Sequence, residues 1–94
     1  MILLLAFQLA VGSQQGLQQL YERAKHDLEQ REYAAAEQDV NSALHADPYF
    51  VPALVLKARL SLFAHRPDIS KSCLITAVTA DPSSEEAQFF LGMF

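Results

Sequence analysis

From Leu17 onward, apolar residues recur at three- and four-residue steps. Leu17, Leu20, Tyr21, Ala24 and Leu28 mark one face of a helix, and Glu22, Arg23, Lys25, His26 and Glu29 fill much of the remainder. Gln30-Arg31-Glu32 breaks the pattern. A second helix is predicted from about Tyr33 to Ala46, with Ala36, Val40, Ala43 and Leu44 inward. Asp47-Pro48 stops it, because proline has no amide hydrogen and disfavours helix in the residue before it. A third helix starts around Pro52, where a first helical turn tolerates proline. It presents Leu54, Val55, Ala58, Leu62 and Phe63 on its apolar face. His65-Arg66-Pro67 forms the next turn, and Asp68 is a natural N-cap for a fourth helix. That helix would turn Ile69, Cys73 or Leu74, and Ala77 inward, and Asp81-Pro82 ends it. Ser83 with Glu86 then reads as a capping box opening a fifth helix, inside which the chain reaches Phe94.

The first residues follow a different pattern. Met1 to Val11 is apolar except for Gln8, too short a run to span a bilayer but of the length of a signal-peptide hydrophobic region. Ala10-Val11-Gly12 supplies the small residues that signal peptidase accepts, whereas no Lys or Arg follows Met1. Residues 1–12 are therefore read as a signal peptide or an uncleaved N-terminal anchor, and 13–16 as a polar linker. A signal peptide places the mature chain outside the cytoplasm, secreted or periplasmic; otherwise the chain is cytoplasmic. No cysteine follows the run, which excludes a lipoprotein anchor.

The predicted helices are organised by a repeat. Ala46-Asp47-Pro48 returns as Ala80-Asp81-Pro82, 34 residues later and without a gap. The same shift lays Leu20 on Leu54, Ala24 on Ala58, Leu28 on Leu62, Ala36 on Ser70, Val40 on Leu74 and Ala43 on Ala77. Ala87 continues the phase from Ala53, and Gly92 from Ala58. A unit of this length and skeleton resembles the tetratricopeptide repeat. That family's pattern runs Trp or Leu, Leu-Gly, Tyr, Ala, an aromatic, Ala and Pro. Leu20, Ala24, Ala36, Val40, Ala43 and Pro48 take those places here, as do Leu54, Ala58, Ser70, Leu74, Ala77 and Pro82, and Leu91-Gly92 matches the Leu-Gly pair. Asp27 and Ser61 stand where the family prefers Tyr, and Val40 and Leu74 replace its aromatic.

The resemblance implies an all-α fold of antiparallel helix–turn–helix repeats, stacked as a short right-handed α-solenoid. It sets repeat 1 at 17–50, repeat 2 at 51–84 and a partial repeat 3 at 85–94. Stacked hairpins of this kind build an extended concave face. By resemblance to the family, the first helix of each pair lines that face and holds a partner segment. The residues expected there are Tyr21, Lys25 and Leu28, then Val55, Arg59, Leu62 and Phe63, then Phe89. Lys25 and Arg59 are equivalent by the repeat, and two stacked cations with apolar neighbours suit a partner with acidic and apolar side chains. The chaperone-binding members of the family use a Lys/Asn clamp, which Tyr21 and Val55 do not supply, so that function is not carried over.

Composition narrows the classes. A chain of 94 residues supports one small domain, and 51% hydrophobic with 19% charged residues is a globular balance. A net charge of −4 opposes a general nucleic-acid surface. The single cysteine, Cys73, can form neither an internal disulfide nor a cysteine-based zinc site, and reads as a small hydrophobe. His26, His45 and His65 fall in three separate contexts without a second ligand at helical spacing, so no metal is expected. Gly12, Gly16 and Gly92 are scattered and make no phosphate loop, no serine sits in a nucleophile elbow, and no cofactor is implied. The reading is a non-enzymatic protein-binding module or scaffold. The alternative is an accessory repeat segment cut from a larger enzyme or secretion component. Self-association through an apolar 89–94 edge is a third expectation.

Overall fold

The structure, a computed structural model, describes residues 14–94. The expected signal peptide or anchor at 1–12 lies outside the described residues. Five helices follow in order: α1 (Gln14–Glu29), α2 (Tyr33–Ala46), α3 (Val51–Phe63), α4 (Pro67–Ala80) and α5 (Glu85–Leu91). No strand occurs among the described residues. Helix α1 begins earlier than the sequence suggested: Gln14, Gln15 and Gly16, expected in a linker, form its first turn. Leu17, only 4% exposed, anchors that turn in the core, and glutamine is a good helix former.

The α1/α2 and α3/α4 hairpins are built alike, one repeat apart. In each, the first helix ends in a Schellman motif. The Arg31 amide donates to the Leu28 carbonyl at 3.0 Å, and the Glu32 amide to that of Asp27 at 2.8 Å. One repeat on, His65 donates to Leu62 at 3.1 Å and Arg66 to Ser61 at 2.8 Å. The motif needs a left-handed residue at its centre, and Arg31 and His65 take it with φ of 61° and 59°. The second helices end alike too. The Asp47 amide donates to Ala43 and the Asp81 amide to Ala77, each at 2.9 Å. Each aspartate then folds its carboxylate forward onto a backbone amide, Asp47 on Tyr49 at 3.0 Å and Asp81 on Ser83 at 3.1 Å. The Asp-Pro pair is thus both a stop and a preformed turn.

Two expected caps move. Asp68 lies in the first turn of α4 rather than capping it; Arg66 holds the N-cap position without a side-chain bond. Helix α5 is capped by Ser84, whose Oγ accepts from the Ala87 amide at 3.3 Å. Ser83 instead donates its hydroxyl to Asp81 at 2.6 Å, so the Ser83–Glu86 box does not form.

Small residues let the helices close up. Ala24, Ala36 and Ala43 are fully buried in the first hairpin, and Ala58, Ser70 and Ala77 essentially so in the second. Two apolar clusters result. One gathers Leu17, Leu28, Val40, Phe50, Leu56 and Leu60; the other gathers Leu54, Val55, Leu74 and Ala87. Helix α3 feeds both. Its Ala53, Leu56 and Leu60 face back toward the first hairpin, and its Leu54, Val55 and Ala58 face forward. The matching backward-facing positions of α1 are Gln19, Glu22 and His26, all exposed, so the outer face of the first hairpin is polar. Across the first hairpin, Arg23 grips Asp39 with two bonds of 3.0 and 2.8 Å. Lys57 and Cys73 hold the equivalent places in the second, without an ion pair.

Helix α1 touches α3 and α3 touches α5, whereas α2 and α4 do not meet. The layer of helices is therefore curved, with α1, α3 and α5 on its inner side.

Candidate functional site

Where the α1/α2 turn approaches the end of α3, the surface opens into a cleft of about 350 Å³. Lys25, Leu28 and Glu29 come from the last turns of α1, Arg31 and Tyr33 from the turn and the start of α2, and Arg59 and Phe63 from α3. Leu28, 9% exposed, is its apolar floor. One wall is an aromatic pair: the Tyr33 and Phe63 rings stack with centroids 5.5 Å apart and planes at 29°. Both rings remain about half open to solvent, at 43% and 57%.

Three cations meet this cleft against one carboxylate, Glu29. Among the described residues the ion pair formed is Arg23–Asp39, so Lys25, Arg31 and Arg59 have no anionic partner. Arg59 instead lies over the Phe90 ring of α5, its guanidinium carbon 6.0 Å from the ring centroid. That contact sits at the outer edge of cation–π attraction and leaves the guanidinium hydrogens free to donate. The local excess is two positive charges on a chain whose total is −4.

Of the residues expected from sequence, Lys25, Leu28, Arg59 and Phe63 come together here. The others do not. Val55 is 2% exposed, held in the core of the second hairpin with Leu54, Leu74 and Ala77, and cannot present a surface. Tyr21 packs against the core of the first hairpin, and Leu62 is half-buried outside the cleft. Phe89 is 68% exposed on α5, edge-on to Phe90 at 5.3 Å, and lines no part of the cleft. Arg31 and Tyr33 are the residues that the helical pattern missed. The break at Gln30-Arg31-Glu32 marked the turn but not the direction in which a left-handed residue sends its side chain.

Burial pushes the Cys73 thiol up from its ordinary range, with Lys57 acting weakly against that, so the thiol stays protonated at neutral pH and is a poor nucleophile. No helix among the described residues is long and apolar enough to cross a membrane. What fold and cleft define together is a class of object, a short curved stack of helical hairpins with a basic, aromatic-walled cleft on its inner side. Comparison with protein-family models, with curated proteins and with solved structures returned no match.

Proposed function

We propose that this chain is a protein-binding module that resembles the tetratricopeptide-repeat class and holds a segment of a partner protein on the inner side of α1, α3 and α5. The observation that carries this reading is the cleft: three cations that form no ion pair, set against the single carboxylate of Glu29, beside two half-exposed aromatic rings. Charged and aromatic side chains left unsatisfied in a concavity are what a binding surface keeps ready. The repeated turns and stops support the class, since they fix consecutive hairpins in one register. In this reading the helices are scaffold and the reacting chemistry, where there is any, belongs to the partner.

The test is quantitative capture. The chain and its Lys25→Glu/Arg59→Glu variant are compared as bait for partner proteins at matched folded concentration. Retention of a partner by the wild-type chain that falls with the double reversal is the expected result. A partner set unchanged by the double reversal would remove this face from the function.

A further inference from the structure

The cleft also specifies its ligand. Resting on the protein-binding reading above, we infer that it takes an acidic peptide segment carrying an aromatic side chain, with the carboxylates on Lys25, Arg31 and Arg59 and the ring against Tyr33 and Phe63. Three arguments converge. The first is charge: three cations to one carboxylate in an otherwise acidic chain is a local reversal of sign, and it repels the cationic segments that the rest of the surface attracts. The second is shape. The rings are stacked on each other and half open, so a third ring can join at the exposed edge or face with little loss of side-chain freedom. The third is the origin of the residues. Lys25 and Arg59 sit on the first helices, but Arg31 is carried by the Schellman turn and Tyr33 by the start of α2. The site is thus at the turn end of the first hairpin, and a bound segment need only reach across from α1 to α3. A nucleic acid fits less well. It needs a longer cationic track, and its phosphates would meet a chain of net charge −4 beyond the cleft.

The full chain is titrated into a labelled peptide Glu-Glu-Phe-Glu-Glu, acetylated and amidated so that its ends carry no charge, and binding is read by fluorescence anisotropy. Parallel titrations use Gln in place of every Glu, Ala in place of Phe, and a single-stranded oligonucleotide. The acidic aromatic peptide is expected to bind, and to weaken about tenfold between low and high salt. Arg31→Glu should weaken it by roughly tenfold or more, as one attraction is replaced by a repulsion. Tyr33→Ala and the Phe→Ala peptide should each lose about fivefold. Lys25→Glu, on an exposed helix face, repeats the charge test at a position where folding is not at stake, and circular dichroism confirms the helical content of each variant. Equal binding of the Gln peptide, indifference to both charge reversals, or tighter binding of the oligonucleotide would overturn the inference. If the acidic peptide fails while partner capture still depends on Lys25 and Arg59, the ligand assignment falls and the binding face stands; if both fail, the protein-binding reading falls with it.

Discussion

Ser70 is the position where the two hairpins differ most instructively. It occupies the place that Ala36 holds one repeat earlier, both are 0% exposed, and the Ser70 Oγ has no hydrogen-bond partner. Substituting Ser70→Ala removes that hydroxyl and restores the small apolar residue of the first hairpin. Leaving a buried hydroxyl unsatisfied costs about 1–3 kcal/mol, which the substitution recovers. Alanine adds about 0.5 kcal/mol of helix propensity. Against this stand the few van der Waals contacts of one oxygen, about 0.5 kcal/mol in all. The net expectation is a gain of about 1–3 kcal/mol, or roughly 5–20 °C in Tm for a domain of this size. Thermal and urea melts followed by circular dichroism at 222 nm measure it. The converse change, Ala36→Ser, should cost a similar amount, because it installs the same unpartnered group in the first hairpin. The reasoning fails if Ser70→Ala lowers Tm or leaves it unchanged. That result would mean the hydroxyl satisfies itself, as a helical serine can on the carbonyl four residues back, here that of Arg66, which already takes the Ser70 amide at 3.2 Å.

Three further outcomes are expected. Ala24→Leu and Ala58→Leu each force a branched side chain into a seam with no room, costing about 1–3 kcal/mol by urea titration; unchanged midpoints would contradict the close helix contact. His65→Gly relieves a left-handed residue at about 1–2 kcal/mol against about 0.5–1 kcal/mol of added chain entropy, so a small net gain in Tm is expected and a loss would refute the strain. The Asp27 carboxyl is held above its ordinary range, first by sharing a hydrogen bond with Asp39 and further by desolvation and by the Asp39 charge. A raised folded-state pKa in an acid means that the native chain binds the proton more tightly than the unfolded one. Asp27 therefore lowers stability as pH rises from the ordinary carboxylate range through the raised value. Asp27→Asn, which cannot ionise and can still donate to Asp39, should abolish that slope: its advantage over wild type grows across the window and then levels off. An advantage that shrinks with rising pH would reverse the sign of the argument.

The helical architecture was legible because it rests on period and punctuation. Apolar steps placed α2 at Tyr33–Ala46 as the structure has it, and the Asp-Pro pairs fixed the 34-residue register that the turns and stops follow. The site was half legible for a physical reason. Helix α1 has one covered side and one open side, so periodicity correctly turned Lys25 outward. Helix α3 is packed by α1, α2, α4 and α5, so it is apolar on most of its circumference and its pattern cannot say which apolar residue meets solvent. The resemblance to the repeat family places Val55 on the open face, and the pattern of α3 holds nothing to correct it; Val55 lies in the core. Arg31 and Tyr33 escaped because their placement depends on a backbone angle at one turn residue, which composition does not encode. The caps at Arg66 and Ser84 shifted by one or two positions for a similar reason, since neighbouring residues could each begin the helix.

The double duty of α3 has a consequence for how the chain comes apart. Because its two faces close two different clusters, and Leu44 packs against both, the hairpins are neighbours in a cooperative chain rather than independent beads. Opening α3 uncovers both clusters at once, whereas releasing α5 or the start of α1 uncovers part of one. Amide hydrogen exchange should therefore be slowest in α3 and fastest toward the ends, a gradient set by position in the stack rather than by local helix propensity. A binding cleft lined by the last turns of α1 and α3 spans the joint between the two units. A ligand seated there would tighten their coupling, making occupancy and cooperativity of unfolding two readings of the same free energy.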